Sequence, residues 1–180
     1  MGDYSYELKI PKERVAVLIG KDGEIKTAIE TETKIELKVD SKEGDVFVSG
    51  DDALGLYAAR EVIIAIGRGF NPEIAMLLLK QDYVFEMINL NTYNKSKEAQ
   101  LRLKGRVIGK EGKSRKIIEE LTEAYVSVYG KTICIIGIPE AAYAAKHSVE
   151  MLIEGSPHST VYKWLEKRRR DIKRRERLEL

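Results

Sequence analysis

The 180-residue sequence predicts an α+β fold built from one module written twice, and three observations predict it. Gly20, Lys21, Asp22 and Gly23 return almost unchanged as Gly109, Lys110, Glu111 and Gly112. The flanks return in the same order without a gap: VLIGKDGEIKTAIETETKIELKV from Val17 aligns with RVIGKEGKSRKIIEELTEAYVSV from Arg106, pairing Ile19 with Ile108, Ile29 with Ile118, Glu30 with Glu119, Thr33 with Thr122 and Leu37 with Val126. Around both motifs the apolar spacing then switches, in the same sequence, between the three-and-four step of a helix and the alternation of a strand. A repeat at fixed offset ties two ambiguous segments to a single fold. Here the unit is the size of a domain.

Each element follows from its pattern. Residues 4–10 alternate loosely and end at Pro11, as a first strand closed by a helix-starting proline. A short helix over 14–19 is stopped by Gly20, and beyond Gly23 the residues Ile25 and Ile29 share one helical face. Residues 33–39 set Ile35, Leu37 and Val39 against Lys34, Glu36 and Lys38, a half-buried strand; a polar turn with Gly44 leads to a returning strand over 46–49. From Asp51 a helix carries Leu56, Ala59, Val62, Ile63 and Ile66 on one face and ends near Gly67. The second copy repeats the order, with strands at 125–129 and 132–136 and a closing helix bearing Ala142, Ala145, Val149 and Leu152. Its first strand is expected over 82–90, followed by a longer connection at 91–104. Asn71 and Pro72 open a short helix between the copies. The expected organisation is a first domain at 1–70, a linker helix at 71–81, a second domain at 82–155 and a basic C-terminal helix at 156–180.

Composition narrows the class. A hydrophobic fraction of 43% with 33% charged residues describes a globular chain. No apolar run approaches the length of a membrane span, and MGDYSYELK lacks a signal-peptide pattern, so a cytoplasmic protein without a membrane partner is expected. The one cysteine, Cys134, sits among Ile133, Ile135 and Ile136 and reads as a buried strand thiol. Net charge is only +2, but residues 159–180 hold nine basic against four acidic side chains. Arg168, Arg169, Arg170, Lys173, Arg174 and Arg175 therefore have two readings, an RNA-contacting arm or a solvated terminal helix.

A GxxG turn between two short helices lets a ligand approach where any Cβ would obstruct, and the next helix presents free N–H groups and its positive dipole end there. A phosphate backbone fits that description. Ile19, Ile29 and Leu37, with Ile108, Ile118 and Val126 in the second copy, are expected to wall a groove for unpaired bases.

This pattern, V/L-I-G-K-x-G with Ile six residues on and Thr four beyond, resembles the KH domain of type I topology. The resemblance covers residues 4–155 and implies two tandem βααββα domains, each a three-stranded antiparallel sheet packed with three helices. It also implies RNA contact through Gly20, Lys21, Asp22, Gly23 and Lys26 in the first copy. In the second it implies contact through Arg106, Ile108, Gly109, Lys110, Glu111, Gly112, Lys113, Arg115, Ile118 and Val126. Lys26 and Arg115 stand where the family usually has a buried aliphatic residue. Asp22 and Glu111 place an acid beside each loop lysine, and the second loop has more bases around it, so the second domain is expected to bind RNA more strongly. Over the whole chain, GRVIGKEGKSRKIIEELT and EGSPHSTVYKWLEKRRR resemble the archaeal counterparts of the eukaryotic Partner of Nob family of ribosome-assembly factors. That resemblance implies the 3′ region of small-subunit rRNA as the RNA partner. A Nob-type endonuclease and an rRNA dimethyladenosine methyltransferase are the protein partners it implies.

Other chemistry fails on spacing. GKEGKS has two residues, not four, between its first glycine and Gly-Lys-Ser, so it is not a nucleotide-binding P-loop, and G-x-G-x-x-G is absent. His147 and His158 have no Cys or His at metal-ligand spacing and read as surface residues, and adjacent Glu119 and Glu120 face different directions on a helix. A non-catalytic protein with neither metal nor cofactor is expected. An mRNA- or single-stranded-DNA-binding regulator, and a protein scaffold docking through residues 74–79 or 162–165, remain the alternatives.

Overall fold

The computed structural model describes residues 4–178. The chain forms two compact units, Met1–Phe85 and Glu86–Leu180. The first contains β1 (Tyr4–Lys9), α1 (Lys12–Ile19), α2 (Glu24–Thr33), β2 (Glu36–Val39), β3 (Asp45–Gly50), α3 (Ala53–Gly67) and α4 (Pro72–Ala75), which runs into a 3-10 turn at Met76–Leu79. The second contains β4 (Val84–Asn89, its first two residues on the other side of the division), α5 (Lys97–Ile108), α6 (Lys113–Thr122), β5 (Tyr125–Tyr129), β6 (Thr132–Gly137), α7 (Pro139–Ile153) and α8 (His158–Leu178). The sheets have the same order, β1-β3-β2 and β4-β6-β5, so the α+β expectation of two three-stranded sheets with packed helices holds.

In the first sheet, Val46 lies between Leu8 and Val39, and Val48 between Tyr6 and Leu37, which places these two cross-strand sets on one face. Against that face pack the buried stripes of α1 (Val15, Leu18), α2 (Ile29) and α3 (Leu56, Ala59, Val62, Ile63, Ile66). The opposite face carries Glu7, Phe47 and Lys38, aligned by the same register and exposed. The second sheet departs from simple alternation. All of β6 is buried, Ile133, Cys134, Ile135 and Ile136 completely, as suits a continuous apolar run instead of a half-solvated strand.

The repeat extends into the hydrogen bonding. Glu30 Oε1 accepts from the backbone N–H of Leu37 at 2.8 Å, and Glu119 Oε1 accepts from Val126 at 2.8 Å. Thr33 Oγ1 donates to the Ile29 carbonyl at 2.6 Å, and Thr122 Oγ1 to Ile118 at 2.7 Å. These pairs fix the passage from the second helix into an edge strand whose outward N–H would otherwise lack a partner. Thr33 thus ends a helix where the alternation had suggested a strand start; its hydroxyl bonds back into the helix and Lys34 turns the chain at φ 56°.

One duty is shared by residues that do not align. Arg14 donates from Nε to the Ile66 carbonyl (2.8 Å) and from Nη2 to that of Phe70 (2.7 Å), satisfying the carbonyl end of α3. In the second unit Arg106, one helical turn further along its helix than the counterpart of Arg14, does the same to Leu152 (2.8 Å) and Ser156 (2.6 Å). The longer connection expected at 91–104 becomes a 3-10 turn at Leu90–Thr92 and extra length in α5, whose Ser96 caps Ala99. Buried Gln100 pins it through Asn91 Oδ1 (2.8 Å) and the Asn94 carbonyl (2.7 Å). Within the stretch expected as a linker helix, 71–81, residues 72–79 form two short turns packed on α3 in the first unit.

Candidate nucleic-acid interface

Both GxxG turns take one backbone shape. Gly20 has φ 76° and ψ 176°, Gly109 φ 72° and ψ 175°, a region that only glycine occupies without strain. A Cβ on Gly20 would stand 2.5 Å from Ile25 Cγ1 and 2.9 Å from the Ile25 nitrogen; on Gly109 it would stand 2.7 Å from Ser114 Cβ and 2.8 Å from the Ser114 nitrogen. The first glycine of each motif therefore exists to make the turn. The second is different. Gly23 and Gly112 are left-handed at φ 81° and 75°, yet an added Cβ meets nothing within 4 Å. Open space in front of this glycine is what a closely approaching phosphate backbone requires. Between them Asp22 and Glu111 adopt φ 53° and 54°, a mild strain that a non-glycine residue accepts to hold the loop outward.

Lys21, Asp22, Lys110, Glu111 and Lys113 are exposed at the tips. Lys26 and Arg115, in place of the aliphatic residue expected for the family, are half-buried and pair along their helices with Glu30 (3.9 Å) and Glu119 (3.8 Å). The second loop opens onto a hollow of about 480 Å³ lined by Lys110, Glu111, Lys113, Lys116, Ile117 and Glu120. The first turn of α6 carries no acid, whereas that of α2 has Glu24. Cations crowded at a positive helix end repel it, and an anion between them relieves that repulsion.

Five of the residues expected at the interface are placed elsewhere, four in the core and Arg106 at the end of α7. Ile118 and Val126 are 0% and 3% exposed, so like Ile29 and Leu37 they belong to the core. The reason is periodicity: Ile118 shares a helical face with buried Ser114 and Thr122, and Val126 points with Ile135 to the sheet's inner side. Of the residues expected as apolar wall, Ile19 and Ile108 are half-buried. Arg106 is engaged at the end of α7, where its two carbonyl partners hold the guanidinium. Sequence reading missed Glu30 and Glu119 as the acceptors that tie α2 to β2 and α6 to β5, although their pairing within the repeat was a signal that both do one job.

The basic segment 168–175 belongs to α8, which packs on α6 and α7 through Val161 and Leu165, both fully buried. Arg168 Nη2 donates to the Glu140 carbonyl at 2.8 Å, and Arg169 is half-buried; Arg170, Lys173, Arg174 and Arg175 are exposed. The two histidines are half-buried and occupied, a correction to their surface reading. His158 Nε2 lies 2.8 Å from the Arg106 carbonyl, and His147 sits between Tyr143 (6.1 Å, stacked) and Trp164 (4.9 Å, edge-on). Among the described residues, no group of three His, Cys, Asp or Glu side chains is placed to hold a metal ion, and no helix is long and apolar enough to cross a membrane.

Comparison with known proteins agrees with this architecture. Residues 84–170 match the family described as eukaryotic type KH-domain (KH-domain type I), and residues 5–65 match the KH domain family. A KH domain-containing protein of Methanocaldococcus jannaschii is 52% identical over 171 residues, 93% of this chain and 75% of that protein. The RNA-binding protein pno1 of Dictyostelium discoideum is 28% identical over 162 residues, 87% of this chain and 68% of the relative. The crystal structure of Dim2p from Pyrococcus horikoshii superposes with a TM-score of 0.84 at 45% identity, covering 92% of this chain and 99% of that one. A chain of the a/eIF2alpha-aDim2p-rRNA complex from the same organism superposes with a TM-score of 0.86 at 45% identity, covering 93% and 95%.

Proposed function

Because the chain belongs to the KH-domain family, as a tandem-KH counterpart of PNO1 and Dim2p, we propose that it binds single-stranded RNA in small ribosomal subunit biogenesis. Its target in this reading is the 3′ region of small-subunit rRNA, and its part in 3′-end processing is to hold that strand. The observation that carries the proposal is the pair of outward glycines, Gly23 and Gly112, each with open space before it and an exposed lysine two residues earlier. Two relatives support the RNA class and the pathway: one is named a pre-rRNA-processing protein and one solved complex contains rRNA.

The second unit carries most of the affinity. Lys110, Lys113 and Lys116 surround its loop hollow, whereas the first loop has Glu24 in the corresponding helix start. The groove clamps about four nucleotides, with phosphates along the loop and bases toward the edge strand. A Nob-type endonuclease and an rRNA dimethyladenosine methyltransferase complete the reading as protein partners acting on the same strand, and this chain positions the RNA without cleaving it, in the cytoplasm.

Crosslinking in cell extract followed by sequencing of the bound RNA tests the target. Recovery dominated by small-subunit rRNA 3′ ends is the expected result. A spread of mRNAs, or preferential recovery of single-stranded DNA, removes the ribosomal role.

A further inference from the structure

The two copies end differently, and the difference creates a second concavity in Glu86–Leu180. After the third helix of each copy the chain turns at a glycine of positive φ (Gly69, 96°; Gly155, 103°) and enters another helical segment. In the first copy that segment stops at Leu79. In the second, α8 continues to Leu178 and lies on α6 and α7. Tyr57 of α3 and Tyr143 of α7 are counterparts, 55% and 66% exposed. Beside Tyr143 the extended α8 raises a second wall and encloses a bowl of about 610 Å³.

We propose that this bowl is a second RNA contact, taking a nucleotide of the same strand beyond the loop groove, with its base against Tyr143 and Trp164 and its phosphates on Lys167, Arg168 and Arg175. Tyr143 lies parallel to His147 at 6.1 Å and Trp164 meets His147 edge-on at 4.9 Å, so the two outer rings are held in place through His147. Arg168 is held by the Glu140 carbonyl at 2.8 Å through one nitrogen, which fixes its guanidinium at the rim with other N–H groups unused by that bond. Aromatic faces for stacking combined with cations for phosphate are the chemistry of sequence-tolerant single-strand binding. Three cations outnumber the two carboxylates, Glu140 and Asp171, and carboxylates there accept from an exocyclic amino group such as that of cytosine. An acidic peptide would use the cations and leave the exposed ring face of Tyr143 without a stacking partner, so the nucleotide is the better match.

A neighbouring hollow of about 200 Å³ shares Glu140, Arg168 and Ile172 with the bowl and reaches Leu121 and Thr122, the end of α6 opposite the GxxG loop. The ten residues of α6 span about 15 Å and separate the bowl from the loop, while the roughly four nucleotides of one groove are clamped at the loop end. The inference rests on the RNA-binding reading and extends it: strands longer than the groove gain affinity through the bowl, and short ones do not.

The one tryptophan of the chain, Trp164, reports directly. Four- and twelve-residue oligocytidylates are titrated into the full protein while its emission is followed. The twelve-mer is expected to quench Trp164 and the four-mer to bind without quenching. Tyr143→Ser, and separately Lys167→Gln with Arg175→Gln at exposed positions, should weaken the twelve-mer on the order of tenfold by lost stacking or lost phosphate contacts, with four-mer affinity unchanged. Loss of the two cations should also flatten the salt slope by about 1.4. If the twelve-mer binds through the loop but neither quenches Trp164 nor responds to these variants, the bowl is not an RNA site and the loop reading survives. Failure of both oligomers to bind the unaltered protein sinks the two together.

Discussion

At the scale of single residues, the two glycines of each motif carry separate duties, and substitution should separate them. Gly109→Ala forces a side chain into the Ser114 backbone at a φ/ψ that costs about 1–3 kcal/mol by conformation alone. Gly112→Ala meets open space and pays about 1–2 kcal/mol for a left-handed alanine. Urea denaturation should therefore rank Gly109→Ala as the more damaging change. Gly112→Ala should lose RNA affinity out of proportion to its stability, because its methyl group occupies the ligand's path. An equal loss of RNA binding per unit of stability in the two variants would contradict the division. Arg106 gives the converse case. Its guanidinium satisfies two carbonyls at the end of α7, and bonds from a charged donor contribute about 1.5–3 kcal/mol. Arg106→Gln should lower the urea midpoint while leaving RNA affinity at 25 °C within twofold; a larger affinity loss would return Arg106 to the interface.

At the scale of elements, α2 and α6 share a fold but differ in charge where they meet a ligand. The buried faces match, Ile29 with Ile118 and Thr33 with Thr122, while the helix starts read Glu-Ile-Lys and Lys-Ser-Arg-Lys. Reversing Lys110 and Lys113 to Glu should weaken binding of a short oligoribonucleotide by tenfold or more. The same change at Lys21 and Lys26 should have a smaller effect, since Lys26 is already committed to Glu30 at 3.9 Å. Comparable losses from the two double variants would overturn the ranking of the units. The element whose surroundings its sequence reading left open is α8. Its basic residues announced themselves as a charge run, but whether the run was an arm or a packed helix depended on Val161 and Leu165 finding α6 and α7, a tertiary fact. Local periodicity gives a face; it does not name what covers it.

For the molecule as a whole, what was legible came from duplication. One copy alone would have left a GxxG between two short helices, a weak signal; two copies fixed element order and turn together, because each resolved the other's ambiguities. Less legible were features set by contacts distant in sequence. Arg14 and Arg106 do one job from positions that do not align, and Ile118 and Val126 turn inward where motif reasoning had put them on the groove. The charge balance is the last global property with a consequence. Thirty-one basic and 29 acidic side chains leave a net charge of +2, so the molecule's overall field is too weak to draw in a polyanion. Affinity must come from local clusters, and it should be sensitive to where a charge is removed, not to how many remain. Lys95 is exposed just before α5, whose 12 residues separate it from the second loop by about 18 Å, beyond two Debye lengths at physiological salt. Lys95→Glu and Lys113→Glu change the net charge equally. Binding of a four-residue oligoribonucleotide at 0.15 M salt should be unaffected by the first and several-fold weaker in the second. A log–log salt slope shallower by about 0.7 in the second alone is the signature of one lost phosphate contact. Equal effects from the two substitutions would mean that a diffuse field, not a built loop, attracts the RNA.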